Sequence, residues 1–227
     1  MKTLTTTAIA AALLFAGTAC VQTASAKDKS DSNRDVVQTY DLDGFDEIKV
    51  MGVYELEIEV GKSFSVRTEA SQKEAEDLDV RVSGDRLILD NRQDNGKRWN
   101  NNNNRKSVLA VITMPSLSDL QITGVATGEV TGVDGGSLDV SLEGVGDLQL
   151  EGRCDSLDVE LAGVGDIDAR DLVCTSVDAE MGGVGELTVH ATKSVDASSG
   201  GVGQVVVYGD PEERDVDDGF MAKVRFK

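Results

Sequence analysis

The chain is 227 residues long and carries a formal net charge of −19 at pH 7, from 41 acidic against 22 basic residues. Charge of that sign excludes the classes that grip nucleic acid or anionic membrane surfaces, because phosphate recognition needs the opposite sign. Apolar residues make up 40% and aromatic residues only 4%, which suits a single core filled by aliphatic and small side chains.

Residues 1–26 have the form of an export signal. Lys2 precedes an apolar run from Ala8 to Ala19, and Ala24-Ser25-Ala26 stands ahead of charged Lys27-Asp28. The run is too short to span a bilayer. Cys20 supports a second reading as a lipidation site behind Gly17-Thr18-Ala19, although bacterial lipoprotein signals usually place Leu where Gly17 stands. The first reading makes the protein periplasmic or secreted, and the second an outer-membrane lipoprotein. Residues 27–40 are polar and read as a flexible leader or tether.

Strand periodicity follows. Leu56, Ile58 and Val60 alternate with Glu55, Glu57 and Glu59, and Gly61-Lys62-Ser63 is a turn before Phe64 and Val66. Ser71 with Glu74 can cap one helical turn through Leu78. Val80, Val82, Leu87 and Leu89 resume the alternation around a Gly84-Asp85 turn.

Residues 91–107 are the compositional anomaly. Arg92, Lys97, Arg98, Arg105 and Lys106 oppose the single acid Asp94, and the only tryptophan, Trp99, stands beside the run Asn100–Asn104. One reading is a solvated loop tip, since an Asn run buries too little apolar surface to order itself. The other is a binding tip in which Trp99, Lys97, Arg98 and Arg105 form a basic aromatic platform on an acidic body.

Residues 120–208 repeat one unit five times. Leu120, Leu138, Leu157, Val177 and Val195 start the copies, spaced 18, 19, 20 and 18 residues apart. Eight residues later in each comes Gly128, Gly146, Gly165, Gly185 or Gly203. Four of these close a Gly-Val-Gly triplet, and an acidic or amide residue and an aliphatic one follow. A fixed core with loops of varying length is the mark of a solenoid. The period of two inside each unit, as in Leu138, Val140 and Leu142, makes it two short strands around a glycine corner. The expected fold is all-β, a parallel β-helix with rungs of 18–20 residues. An antiparallel meander is the competing arrangement, but it does not call for near-identical repeats. Beyond residue 210, Phe220, Ala222, Val224 and Phe226 alternate in a segment expected to cover the open end of the coil as a capping strand over 211–227.

The stretch Phe45-Asp46-Glu47-Ile48-Lys49-Val50-Met51-Gly52, then Met114-Pro115-Ser116-Leu117, the glycine repeats, and Tyr208-Gly209-Asp210-Pro211 resemble the GIN-domain family of adhesin heads from bacterial envelope proteins. The likeness spans residues 41–210. Family repeats typically read Ser-Gly-Ser-Gly-Asp, where this chain has Gly-Val-Gly-Asp or Gly-Val-Gly-Glu; the departure alters surface chemistry and leaves the glycines in place. The resemblance implies a right-handed β-helix, exported, with no catalytic residues to carry over. Its implied partner is an envelope or surface ligand, protein or glycan.

Stacking would align two acidic columns, Asp139, Asp158, Asp178 and Asp196 in one, and Glu129, Asp147, Asp166 and Glu186 in the other. Rungs ~4.8 Å apart make bare carboxylates repel by roughly 1 kcal/mol even in water. Solvent screens such a face, or Ca²⁺ offsets it through oxygen ligands. The pattern is not the calcium nonapeptide, because its period is about twice as long and Leu187 stands where Asp belongs. Cys154 and Cys174 each sit three residues before the next copy, within reach of a disulfide between neighbouring rungs; two buried free thiols are the alternative. Catalysis has little support, with one histidine, His190, and no Gly-x-Ser-x-Gly, CxxC, HExxH or P-loop pattern. Asp168, Arg170 and Asp171 are the residues a polysaccharide-processing β-helix enzyme would use. The expected function is therefore an exported, non-catalytic binding or structural module without a required cofactor.

Intact mass of protein from native soluble and membrane fractions separates the two leader readings. The expected soluble species begins at Lys27; an acylated species beginning at Cys20 would make residues 21–34 a tether.

Overall fold

In the described residues, 34–92 and 106–227 of a computed structural model, the period-two segments form strands whose buried faces alternate as their sequences do. The chain runs β1 (Val36–Tyr40), β2 (Glu47–Met51), β3 (Val53–Val60), β4 (Ser65–Ala70), the single-turn α1 (Gln72–Ala75), β5 (Asp79–Ser83), β6 (Arg86–Asp90) and β7 (Val108–Met114). It continues through β8 (Asp119–Ile122), β9 (Val125–Asp134), β10 (Ser137–Leu142), β11 (Val145–Leu161), β12 (Val164–Met181), β13 (Val184–Ser199), β14 (Val202–Tyr208), β15 (Glu213–Asp218) and β16 (Met221–Phe226). The long strands β11, β12 and β13 bend between two faces, so each contributes to two coils.

One face stacks β6, β2, β8, β10, the second halves of β11, β12 and β13, and β15, all parallel. The other stacks β7, β3, β9, the first halves of β11, β12 and β13, β14 and β16. The fold is thus a parallel β-solenoid, with the glycine repeats supplying five coils and further parallel coils flanking them. Leu138 pairs with Leu157, Leu157 with Val177 and Val177 with Val195, as the repeat anticipates. Inside, the column Leu87, Ile48, Leu120, Val140, Val159, Ala179, Ala197 tapers from large to small side chains along the axis. All are at most 2% exposed.

Several arrangements differ from expectation. The first copy is out of step by two residues: Leu120 pairs with Val140, and Gly128 with Leu148. Its corner is Gly124-Val125-Ala126, whereas Gly128 is an inward position wedged between Leu56 and Leu148. Chain order is not stacking order either, because the β6–β7 coil lies outside the β2–β3 coil, on the side away from β8–β9. Antiparallel β4 covers β7, β1 covers β4, and antiparallel β5 covers β6. The expected leader therefore gives way to strand at Val36. The helical turn stops at Ala75, short of Leu78, and the Ser71 hydroxyl donates to the Glu74 carboxylate instead of capping a backbone amide.

The C-terminal segment, expected as one capping strand over 211–227, is two strands. β15 and β16 form one more coil, paired to β13 and β14. Arg214 occupies the column of Val195, and Asp218 pairs with Ser199, which already replaces Met181 with a polar residue. The Arg214 guanidinium lies 4.4 Å from the Phe226 ring centroid, and Asp218 Oδ1 accepts from the Val224 amide at 2.7 Å. Other interior columns stay apolar in this coil, in Val216, Val224 and Phe226.

Corner glycines are demanded by close approach. An ideal Cβ on Gly163 would lie 2.0 Å from the carbonyl oxygen of Gly144, and one on Gly183 2.0 Å from that of Gly163. The sulfurs of Cys154 and Cys174 are joined between adjacent coils, with Cα atoms 4.5 Å apart. Gly163→Ala is expected to destabilise the protein by about 1–3 kcal/mol or more through overpacking. Gly182→Ala, with nothing within 4 Å of its Cβ, should be nearly neutral. Thermal denaturation of the pair checks this, at about 2–4 °C per kcal/mol for a chain of this size.

Candidate functional site

Sequence, pleat and register together decide which side chains line up outside the coil. The first acidic column is longer than the repeats suggest. Glu47 pairs with Asp119, which also pairs with Asp139, and the line runs on through Asp158, Asp178 and Asp196 to Asp215. Seven consecutive coils present a carboxylate at one position. Arg86 closes the N-terminal end of the line, 2.7 Å from Glu47 and 3.8 Å from Asp119. The repeat spacing does not reveal the added members. Glu47 precedes the repeats, Asp119 sits one residue ahead of the out-of-step copy, and Asp215 lies beyond the last glycine corner.

Beside that line stands a serine ladder, in which Ser156 Oγ donates to Ser137 Oγ at 2.8 Å and Ser194 Oγ to Ser176 Oγ at 2.9 Å. Burial, and after it the neighbouring carboxylates, raises pKa values along the column. Burial and then the neighbouring Asp158 push the Asp178 carboxyl up, and burial, Asp178 and Asp215 do the same to Asp196. Burial also raises Asp119; Arg86 opposes it, and Glu47 and Asp139 add to it.

The second column contains Asp147, Asp166 and Glu186 in register. Glu129 does not belong to it, since the two-residue offset of the first copy pairs Glu129 with Gln149 and Glu57, and Thr127 with Asp147. Here the carboxylates have partners. Asp147 Oδ1 accepts from the Asp166 amide at 3.2 Å, and Asp166 Oδ1 from the Glu186 amide at 2.8 Å, while Gln204 donates to Glu186. Asp147 and Asp166 therefore each satisfy a backbone donor one coil along, an ordinary structural use of a carboxylate. Among the described residues, no group of three or more His, Cys, Asp or Glu side chains is placed to hold a metal ion.

Lys97, Arg98, Trp99 and Arg105 lie outside the described residues. Where the neighbouring coils turn in a few residues at a glycine, the β6–β7 coil leaves at Asn91 and returns at Ser107. The buried Asn91 side chain continues the ladder, accepting from the Val53 amide at 2.9 Å and donating to the Val53 carbonyl at 3.1 Å. Arg34 holds the return, donating to Ser107 Oγ at 3.0 Å and pairing with Glu55 at 2.5 Å.

Of the residues considered for an enzyme, Asp168 and Arg170 are engaged with each other, and Asp171 pairs in the ladder with Glu151. Asp168 accepts from the Arg170 amide at 3.1 Å and its carboxylate lies 3.6 Å from the guanidinium, which sits 5.0 Å from the Tyr208 ring centroid. His190 Nδ1 is 3.0 Å from the Arg170 carbonyl oxygen. Recesses on the surface are shallow; one of about 220 Å³ is lined by Glu57, Glu59, Glu129, Thr113 and Thr131. No helix among the described residues is long and apolar enough to cross a membrane.

Residues 44–211 match the family described as "Putative auto-transporter adhesin, head GIN domain". Among solved structures, a putative adhesin from Bacteroides fragilis shares the fold with a TM-score of 0.67 at 23% identity, covering 85% of this chain and 96% of the other. A putative cell adhesion protein from Clostridium sporogenes aligns at 18% identity and a TM-score of 0.42, over 85% of this chain and 99% of the other. No curated protein matches.

The first acidic column makes a pH-dependent prediction. A carboxyl whose folded pKa is raised stabilises fully below its unfolded pKa, and that contribution is lost as pH rises through the folded value. Asp178→Asn should therefore stabilise at pH 7 by less than about 1 kcal/mol, given screening of exposed charges, and make no difference at pH 3. Melting curves at both pH values check this; a destabilised variant at pH 7 would show the column to be held by something other than solvent.

Proposed function

The chain belongs to the GIN-domain family of auto-transporter adhesin heads, and from that premise we propose that it is an exported, non-catalytic binding module of the bacterial cell envelope. The observation that supports the reading best is the shared register along one face of the solenoid, which aligns Glu47, Asp119, Asp139, Asp158, Asp178, Asp196 and Asp215 across seven coils. A rigid scaffold of that kind presents surface chemistry at fixed spacing while connecting segments vary. The Cys154–Cys174 disulfide suits an oxidising compartment outside the cytoplasm. Contact is spread over columns and corners, so recognition depends on many side chains, each contributing little.

The test is saturable binding of the full-length protein to intact bacterial cells and to envelope fractions, read by surface plasmon resonance or flow cytometry. Specific, saturable retention is expected, and Asp168→Asn should leave it within about twofold, since a change under ~0.4 kcal/mol is what loss of one exposed ion pair produces. Absence of saturable binding to every fraction would overturn the reading, and abolition of a hydrolytic or lyase activity by Asp168→Asn would replace it with an enzyme.

A further inference from the structure

Five exposed valines stand in one line along the glycine corner. Val125 pairs with Val145, Val145 with Val164, Val164 with Val184 and Val184 with Val202, and the line ends on Met221. The valines are 42–50% exposed and Met221 63%. At ~4.8 Å per coil the row is about 24 Å long, the length of roughly sixteen residues of helix. On each side the row is flanked by glycine, Gly144, Gly163, Gly183 and Gly201 before the valines and Gly146, Gly165, Gly185 and Gly203 after them. An exposed apolar strip of this extent on a charged protein marks an interaction surface.

The chemistry of the occupant follows from what the strip lacks and what borders it. Corner amides already donate along the axis, as from Val145 to the Gly124 carbonyl, from Val164 to Gly144, from Val184 to Gly163 and from Val202 to Gly183, each at 2.9 Å. These amides are spent within the coil, and the valines add only hydrocarbon, which suits an apolar face and not a sugar hydroxyl. One border is the in-register pair Glu160 and Glu180, four residues ahead of Val164 and Val184, with Glu143 outside their column and two residues ahead of Val145; the other is the column of Asp147, Asp166 and Glu186. A second copy would bring two acidic borders together. A segment with an apolar stripe between rows of Lys or Arg would meet the valines and both borders at once.

We infer that the valine row is the docking surface for a basic amphipathic helix of a partner protein. The inference deepens the binding-module reading by naming its contact surface, and rests on that reading only for its biological setting.

The test uses the full-length protein and a synthetic Leu/Lys peptide of about sixteen residues with leucines on one helical face, beside a scrambled peptide of the same composition. The patterned peptide should bind about tenfold or more tightly than the scrambled one. Val145→Thr/Val164→Thr/Val184→Thr keeps β-branching at the corner but replaces three exposed methyls, and should reduce patterned binding by about tenfold or more. If the triple variant loses its circular dichroism spectrum, each single variant and the valine methyl shifts of the parent on titration decide the same question. Equal binding of both peptides would reduce the effect to net charge and overturn the inference, as would unchanged binding by the variants. Valine-dependent self-association in sedimentation, or displacement of the peptide by a neutral glycan, would assign the row to a different occupant and overturn it too. If the triple variant retains the parent's binding to envelope fractions, the inference fails while the binding-module reading stands. If the parent binds no fraction but the peptide result holds, the reverse is true.

Discussion

Backbone meets backbone at the glycine corner, and the rest of the molecule depends on how close that meeting is. A methyl group on Gly144, Gly163, Gly183 or Gly201 would enter the space of a carbonyl oxygen one coil away, at 1.8–2.0 Å. Because no other residue fits, each corner lies directly over the previous one, and the strands on both sides inherit that register. Outward and inward columns are consequences of it. The core needs no aromatic anchor along the repeats, since stacked Leu, Val, Ile and Ala fill a narrow interior already defined by the corners.

The two acidic columns show how one register produces different electrostatics. In the column of Asp147 and Asp166, a glycine of positive φ just before each acid, Gly146 at 157° and Gly165 at 142°, accompanies a backbone amide offered to the acid of the coil before. The carboxylates are anchored. In the column of Asp158, Asp178 and Asp196, the strand runs regularly, its amides are paired in the ladder, and the acids face one another across solvent. The pKa shifts appear in this second setting. Family-level fold is kept while charge is tolerated at the surface, where screening limits the penalty.

Much of this arrangement is legible in the sequence because the repeat and the ladder have the same unit. Leu138, Leu157, Val177 and Val195 share a phase along the chain and a column in space, and Cys154 and Cys174 meet for the same reason. The first copy misleads because its corner is written Gly124-Val125-Ala126, and spacing alone selects Gly128, a glycine required by Leu56 and Leu148 packing against it instead of by a turn. Nor does any local signal say that β6 and β7 stack outside β2 and β3; that order is a property of the assembled coil. The valine row is hidden in the sequence because a valine between two glycines reads as a core residue. Its exposure emerges only when the corner is seen to turn outward.

The two described ends of the solenoid are finished by unlike means. Antiparallel strands β1, β4 and β5 lie against the first coil, and at the other end Arg214 stands in the column of Val195, while Asp218 occupies an amide of β16. A stacked ladder with bare ends would be a template for its own kind, adding molecule to molecule as a fibril does. Antiparallel strands at one end and charge at the other oppose that addition. Copies can then be concentrated side by side without one seeding the next, so crowding multiplies the flanks offered for contact.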